Sequence, residues 1–151
     1  MILLTLGTNV GDREENLRNA CKALVSIGVA IVKRSSIIET PALLLPEAPE
    51  AWNMPFLNQV LVVTTNHTPD GLLACAKSIE RAMGRVDRGR WGPREIDIDV
   101  LAYHAEQRST ATLNLPHPAI AERDFVLRPL AEVAPEWRHP VTGLSAREML
   151  G

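Results

Sequence analysis

An α+β fold of the split βαβ, ferredoxin-like type is expected from three features of this 151-residue sequence. Strand-like and helix-like segments alternate as β-α-β, β-α-β. Each of the two longer helical segments carries an apolar stripe, which two helices on one face of an antiparallel meander would bury. The length fits one domain, residues 1–151, and there is no internal repeat, low-complexity tract or linker.

Residues 2–6 (ILLTL) alternate weakly and read as the first strand. The turn signal Gly7-Thr8-Asn9-Val10-Gly11-Asp12 follows. It lacks the Lys-Ser/Thr ending of a phosphate loop and the spacing of a dinucleotide fingerprint, so it reads as a tight strand-to-helix turn. Asp12 can cap the next helix, with Glu15 three residues on as in a capping box. Leu17, Ala20, Cys21, Leu24 and Val25 recur at helical spacing, and Gly28 ends the run. Residues 29–39 are rich in β-branched side chains and predict a second strand.

Pro41, Pro46, Pro49, Pro55 and Trp52 mark a long loop that orders on demand, and residues 56–65 form another strand. Thr68-Pro69-Asp70 opens a second helix with proline in its first turn. Its stripe is Leu72, Ala76, Ile79 and Met83, and Gly84 closes it. Residues 95–101 (EIDIDVL) alternate almost perfectly, as a half-buried strand does. Beyond them come Leu113-Asn114-Leu115-Pro116-His117-Pro118, a short apolar helix around 124–133 and a closing segment near 144–150.

Hydrophobic residues at 46% and charged residues at 23% exclude a disordered chain. No apolar run approaches the roughly 18 residues of a membrane span, so no membrane partner is expected. The N-terminal segment reads as a strand rather than a signal peptide. Two cysteines, Cys21 and Cys75, both in helical segments, fit packing roles and a reduced, cytoplasmic setting. The net charge of −2 excludes a general polyanion trap. Yet Arg81, Arg85, Arg88, Arg90 and Arg94 fall within 14 residues. A GC-rich genome would account for an excess of arginine over lysine, but not for this clustering. Arginine's planar fork suits bidentate capture of phosphate or carboxylate.

The chemistry centres on the strand at 95–101. If Ile96, Ile98 and Val100 enter the core, Glu95, Asp97 and Asp99 must point to the open face. Carboxylates at i and i+2 lie about 6.5–7 Å apart along a strand and repel unless a cation sits between them. Oxygen ligands of this kind suit Mg²⁺, which takes one or two carboxylates plus waters and substrate phosphates. An exposed acidic strand face is the alternative, although aspartate is depleted in strands. The adjoining loop, Arg85-Val86-Asp87-Arg88-Gly89-Arg90-Trp91-Gly92-Pro93-Arg94, could hold a polyphosphate, with Trp91 stacking on a heterocycle beside Arg90 or Arg94. The plainer alternative is a solvated basic loop.

Several segments together resemble the 6-hydroxymethyl-7,8-dihydropterin pyrophosphokinase family: LGTNVGDREENL, ETPAL, FLNQV, RWGPREIDIDVL and LPHPAIAERDFVLRPLAEVAP. They span essentially the whole chain. The most specific is RWGPR followed by a D-x-D strand and a PH…R-x-F-V-L run. The resemblance implies a ferredoxin-like α/β/α sandwich and a monomeric enzyme of folate biosynthesis. Such an enzyme transfers the terminal diphosphate of ATP to the hydroxymethyl group of 6-hydroxymethyl-7,8-dihydropterin, releasing AMP.

On this resemblance Asp97 and Asp99 match the pair that binds two Mg²⁺ ions. Arg85 and Arg94 match catalytic-loop arginines that contact phosphates, and Trp91 matches the indole that closes over the substrates. Phe56 and Phe125 match the residues that sandwich the pterin ring, and Asn58 the amide on its edge. Thr40, Pro41 and Leu43 match walls of that pocket, while Ile98, His117 and Arg123 match ATP contacts. Either Asp87 or Arg88 stands where some relatives have a third loop arginine. Pro118, Lys77 and Thr112 also depart from the family pattern.

Glu80 reads as a structural carboxylate that could pair with a loop arginine. His67, His104 and His139 read as surface histidines, and Trp137 as a satellite-core residue. Trp52 could help cover the pterin. An RNA-binding ferredoxin-like module is the competing class. Against it stand the low aromatic content of 4%, the negative charge and two aspartates that would repel a phosphate backbone, so no nucleic-acid partner is expected.

Overall fold

A computed structural model describes every residue except Leu43, Asp87, Arg90 and Trp91. Its first strand, β1 (Ile2–Thr8), runs two residues beyond the expected alternation and is largely buried. Asp12 accepts the Glu15 amide and starts α1 (Arg13–Ser26), which buries Leu17, Ala20, Cys21 and Leu24. Glu15 itself pairs with Arg18 at 2.6 Å, and Val25 of the expected stripe is exposed. Gly28, at φ 92, makes the turn that ends the helical run.

The single strand expected over 29–39 is two strands, β2 (Val29–Arg34) and β3 (Ile38–Thr40). Side-chain hydrogen bonds cause the break. Ser35 Oγ accepts the Val60 amide at 2.9 Å, and the Ser36 amide and hydroxyl both donate to the Glu132 carboxylate. These bonds satisfy the backbone where a ladder would have done so.

β4 (Phe56–Thr65) is the longest strand. Thr68 then caps α2 (Pro69–Ala82) by accepting the Gly71 amide, with proline in the first turn as expected. α2 buries Leu72, Ala76, Ile79 and Glu80. β5 covers Asp97–Tyr103, two residues later than the sequence suggests. Glu95 lies outside it because its carbonyl accepts the Thr8 hydroxyl at 2.6 Å while its carboxylate pairs with Arg88.

The remaining elements are the short hairpin β6 (Arg108–Ser109) and β7 (Asn114–Leu115), then α3 (Ala119–Glu122), α4 (Asp124–Val133) and α5 (Ala146–Leu150). A 3₁₀ turn, Glu50–Trp52, interrupts the proline-rich loop.

The sheet order is β2-β4-β1-β5, with β3 also paired to β4 and every pairing antiparallel. That is the interleaved order of a ferredoxin-like sheet, not a sequential meander, and it puts β1 at the centre beside β5.

One face of the sheet packs Ile2, Leu4, Leu6, Leu61, Ile96, Ile98 and Val100 against α1 and α2. The other face carries a second core, in which Leu3, Val60, Val62 and Leu101 meet Val126, Leu130, Val133 and Trp137. The face expected to be open is therefore partly covered. The candidate site lies beside that cover.

Candidate active site

Strand register builds the floor of the site. Gly7 of β1 stands opposite Asn58 of β4 on one side and Asp97 of β5 on the other. One row in, Thr5 stands between Val60 and Asp99. Because side chains alternate, Phe56, Asn58, Thr5, Asp97 and Asp99 share a face with Val60, Val62 and Leu101, just past the edge of the helical cover. Gly7 puts no side chain in the middle of the row, where a Cβ would touch Asn58 Oδ1 at 3.5 Å and the Phe56 ring at 3.8 Å.

A cavity of about 310 Å³ rests on this floor. Thr40, Pro41, Phe56, Asn58, Arg94, Asp97, Asp99, His117, Arg123 and Phe125 all line it, as do Thr5, Gly7, Gly92, Ala119 and Val126. Of the remaining expected site residues, Arg85 lines an adjoining cavity of about 350 Å³ with Lys77, Glu80, Arg81 and Arg88; Gly92 and Arg94 border both. The Ile98 side chain is fully buried in the core. Leu43 and Trp91, and with them Asp87 and Arg90, lie outside the described residues. Trp52 is not among the described residues that line either cavity.

Charges in the acidic half are tightly cross-linked. Asp97 Oδ1 lies 3.1 Å from Arg85 Nη1 and 3.3 Å from Arg94 Nη1. The same Arg85 nitrogen is 2.8 Å from Glu80 Oε1, which also takes Lys77 at 3.4 Å. Glu80 Oε2 accepts the Ile98 amide at 2.8 Å, so a buried carboxylate holds the peptide between the two aspartates. Among the described residues Asp99 has no ion-pair partner of its own. Its carboxyl is pushed up to about 8, first by burial, then by Asp97 and Glu80, with Lys77 opposing.

The donor set suits a hard divalent cation: two carboxylates on one floor, one of them disfavoured as an anion until positive charge arrives. Among the described residues no group of three or more His, Cys, Asp or Glu forms an all-protein metal cage. Such a pair would have to be completed by water or a ligand's own oxygens, as is usual for Mg²⁺.

His117 lies at the mouth of the hairpin, its amide donating to Leu101 O at 2.8 Å. Nδ1 accepts the Ala119 amide at 3.0 Å, and burial holds the imidazole below its usual range against the pull of Asp97 and Glu122. The neutral ring therefore carries its proton on Nε2, a donor suited to an anion. In the apolar half, Asn58 Nδ2 donates to Thr40 Oγ1 at 2.8 Å, which fixes the amide's orientation. The Arg123 guanidinium lies 5.9 Å from the Phe125 ring centroid, a cation–π distance.

This constellation can be set beside known proteins. Residues 3–135 match the model of the 7,8-dihydro-6-hydroxymethylpterin-pyrophosphokinase (HPPK) family. The chain belongs to the HPPK family. It is 45% identical over 148 residues to the 2-amino-4-hydroxy-6-hydroxymethyldihydropteridine pyrophosphokinase of Methylorubrum extorquens, covering 97% of this chain and 89% of that one. It is 40% identical over 146 residues to the folate synthesis bifunctional protein of Chlamydia trachomatis, covering 95% of this chain but only 32% of that longer protein. The HPPK-DHPS of Plasmodium falciparum, in a structure with pterin and p-hydroxybenzoate, superimposes with a TM-score of 0.73 at 18% identity. That match covers 99% of this chain and 42% of the other, and supports the ferredoxin-like HPPK fold.

Glu80, expected as a structural carboxylate that could pair with a loop arginine, is buried, pairs with Arg85 and also holds the Ile98 peptide. A carboxylate at a stripe-adjacent position of α2 was the available signal. Gly7 and Thr5 are floor residues that no local motif singles out, because their part depends on register across three strands. His67 is not a free surface histidine, since its Nε2 lies 2.7 Å from Ile27 O and 3.6 Å from Cys75 Sγ.

Proposed function

We propose that this HPPK-family chain is an ATP-dependent diphosphotransferase acting on 6-hydroxymethyl-7,8-dihydropterin in folate biosynthesis, giving the pterin diphosphate and AMP. The observation that carries the reading is one cavity in which the Asp97–Asp99 pair, Arg94, Arg123 and His117 meet two phenylalanines and the oriented Asn58 amide.

Phe56 and Phe125 would hold the flat ring, and Asn58 with Thr40 its polar edge. Arg85, Arg94, Arg123 and His117 would hold the triphosphate in line. Asp97 and Asp99 would bind two Mg²⁺ ions, which when bound would polarise the phosphate and hydroxymethyl oxygens. The hydroxymethyl oxygen attacks the β-phosphorus and gives up its proton to solvent water, the bond from that phosphorus to the α,β-bridging oxygen breaks, and AMP leaves with that oxygen. No protein nucleophile is required, because positioning and charge neutralisation supply the catalysis. Arg85 and Arg94 must exchange part of their pairing with Asp97 for phosphate oxygens. Free Cys21 and Cys75, on separate helices, support a reduced cytoplasmic setting, and the self-contained core supports a monomer.

The test is incubation of the purified chain with ATP, Mg²⁺ and the reduced hydroxymethylpterin, resolving adenine nucleotides by chromatography. Pterin-dependent AMP is expected; ADP, or no product, overturns the reading.

A further inference from the structure

Two loops border the cavity opposite the 117–126 segment: the proline-rich loop leading into Phe56, which contributes Pro41, and the arginine-bearing loop ending at Arg94, which contributes Gly92 and Arg94. Both are fastened to one side chain, Asn9, only 1% exposed. The backbone N–H of the same residue donates to Arg94 O at 3.1 Å, and its side-chain Oδ1 accepts the Arg94 amide at 2.8 Å. Its Nδ2 donates to Met54 O at 3.0 Å, two residues before Phe56. The turn is braced in its own right. Asn16 Nδ2 donates to Thr8 Oγ1 and Val10 O, and Thr8 Oγ1 donates to Glu95 O. Asn9 therefore sits on a rigid base with one end on each loop, and neither of those loop partners belongs to a sheet ladder.

We propose that Asn9 is a positioning residue that couples the two halves of the site, so that seating a nucleotide phosphate on Arg94 improves the seat for the flat ring on Phe56. This rests on the diphosphotransferase reading. A carboxamide suits the task because its oxygen can accept from one loop while its nitrogen donates to the other. Aspartate keeps the acceptor toward Arg94 but turns an oxygen toward Met54 O, breaking one arm alone. Arg13 provides a control: its Nη1 donates to Pro55 O at 3.0 Å, holding the proline-rich loop without touching Arg94.

The readout is the dissociation constant of the reduced hydroxymethylpterin with and without a non-hydrolysable ATP analogue and Mg²⁺. In the wild-type chain the analogue should tighten the pterin about tenfold, within the usual span of site–site coupling. Asn9→Asp and Asn9→Ser should cut that gain to about twofold or less, while analogue affinity changes little in Asn9→Asp. Arg13→Met should weaken the pterin equally with and without analogue, leaving the ratio intact. A structural role alone would move the affinities but not the ratio.

If the Asn9 variants do not fold, hydrogen exchange on the wild-type chain decides: the analogue should slow exchange at residues 52–57. Retained coupling in Asn9→Asp, absence of coupling in the wild type, or unchanged exchange at 52–57 overturns the proposal. A wild-type chain that yields no AMP instead overturns the diphosphotransferase reading.

Discussion

The two halves of the cavity are built by opposite means. The apolar half is assembled from strand positions and the start of α4: Phe56 and Asn58 from β4, Gly7 from β1 and Phe125 from α4. Its floor follows from strand register and packing. The charged half is held by groups that neutralise one another, Arg85 and Arg94 on Asp97 and Arg85 on Glu80. A ligand enters the first by filling space and the second by exchanging partners. Binding in the apolar half should thus respond to volume, and binding in the charged half to charge, salt and pH.

The largest effect should come from the charged half. Asp97→Asn should lower AMP formation by about a thousandfold, since removing metal or electrostatic stabilisation costs several kcal/mol of barrier. Thermal denaturation should show the variant still folded, and near-normal turnover would sink the metal role. Next, Phe125→Ala should raise the pterin KM roughly tenfold, through lost apolar contact and ring stacking. The nucleotide KM should move less than about twofold in steady-state kinetics, and equal changes in both would erase the contrast between the halves.

A smaller effect concerns Asp99. Its folded-state value is raised from 3.8 to about 8, so between those limits the folded chain binds more protons than the unfolded one. Its contribution therefore lowers stability as pH rises from about 4 to 8. Asp99→Asn should remove that slope and raise the melting temperature of the metal-free chain at pH 8 by several degrees, on the order of 1–2 kcal/mol. At pH 5 the two chains should differ little. The smallest effect is expected at a solvent-exposed pair on α4, where Arg128→Ala frees Asp124. It should shift stability by less than about 0.5 kcal/mol and leave turnover unchanged.

Local signals in the sequence carried much of this architecture. Asp12 and Thr68 act as helix caps, and Ile96, Ile98 and Val100 fill the core, as capping chemistry and strand alternation require. The paired aspartates were legible for the same reason, since their spacing along the strand is their geometry; Arg85 and Arg94 were singled out from the basic loop by the family resemblance. What stayed hidden depended on partners distant in sequence. Nothing in residues 29–39 reports that Glu132 and Val60 will bend the strand at Ser35 and Ser36. The desolvation of Asp99 arises from covering elements nearly invisible to a strand-by-strand reading. The Asn9 junction joins positions 9, 54 and 94, which no motif brings together.

β5 is an outer strand of the sheet. An outer strand normally offers a row of amides and carbonyls to which another chain can zip, a route to aggregation. Here the Ile98 amide is taken by Glu80 and the Leu101 carbonyl by the backbone of His117. Residues that shape the cavity thus also close the rim of the sheet against strand addition. Substitutions there can cost solubility as well as turnover, and yields of soluble protein would register the difference.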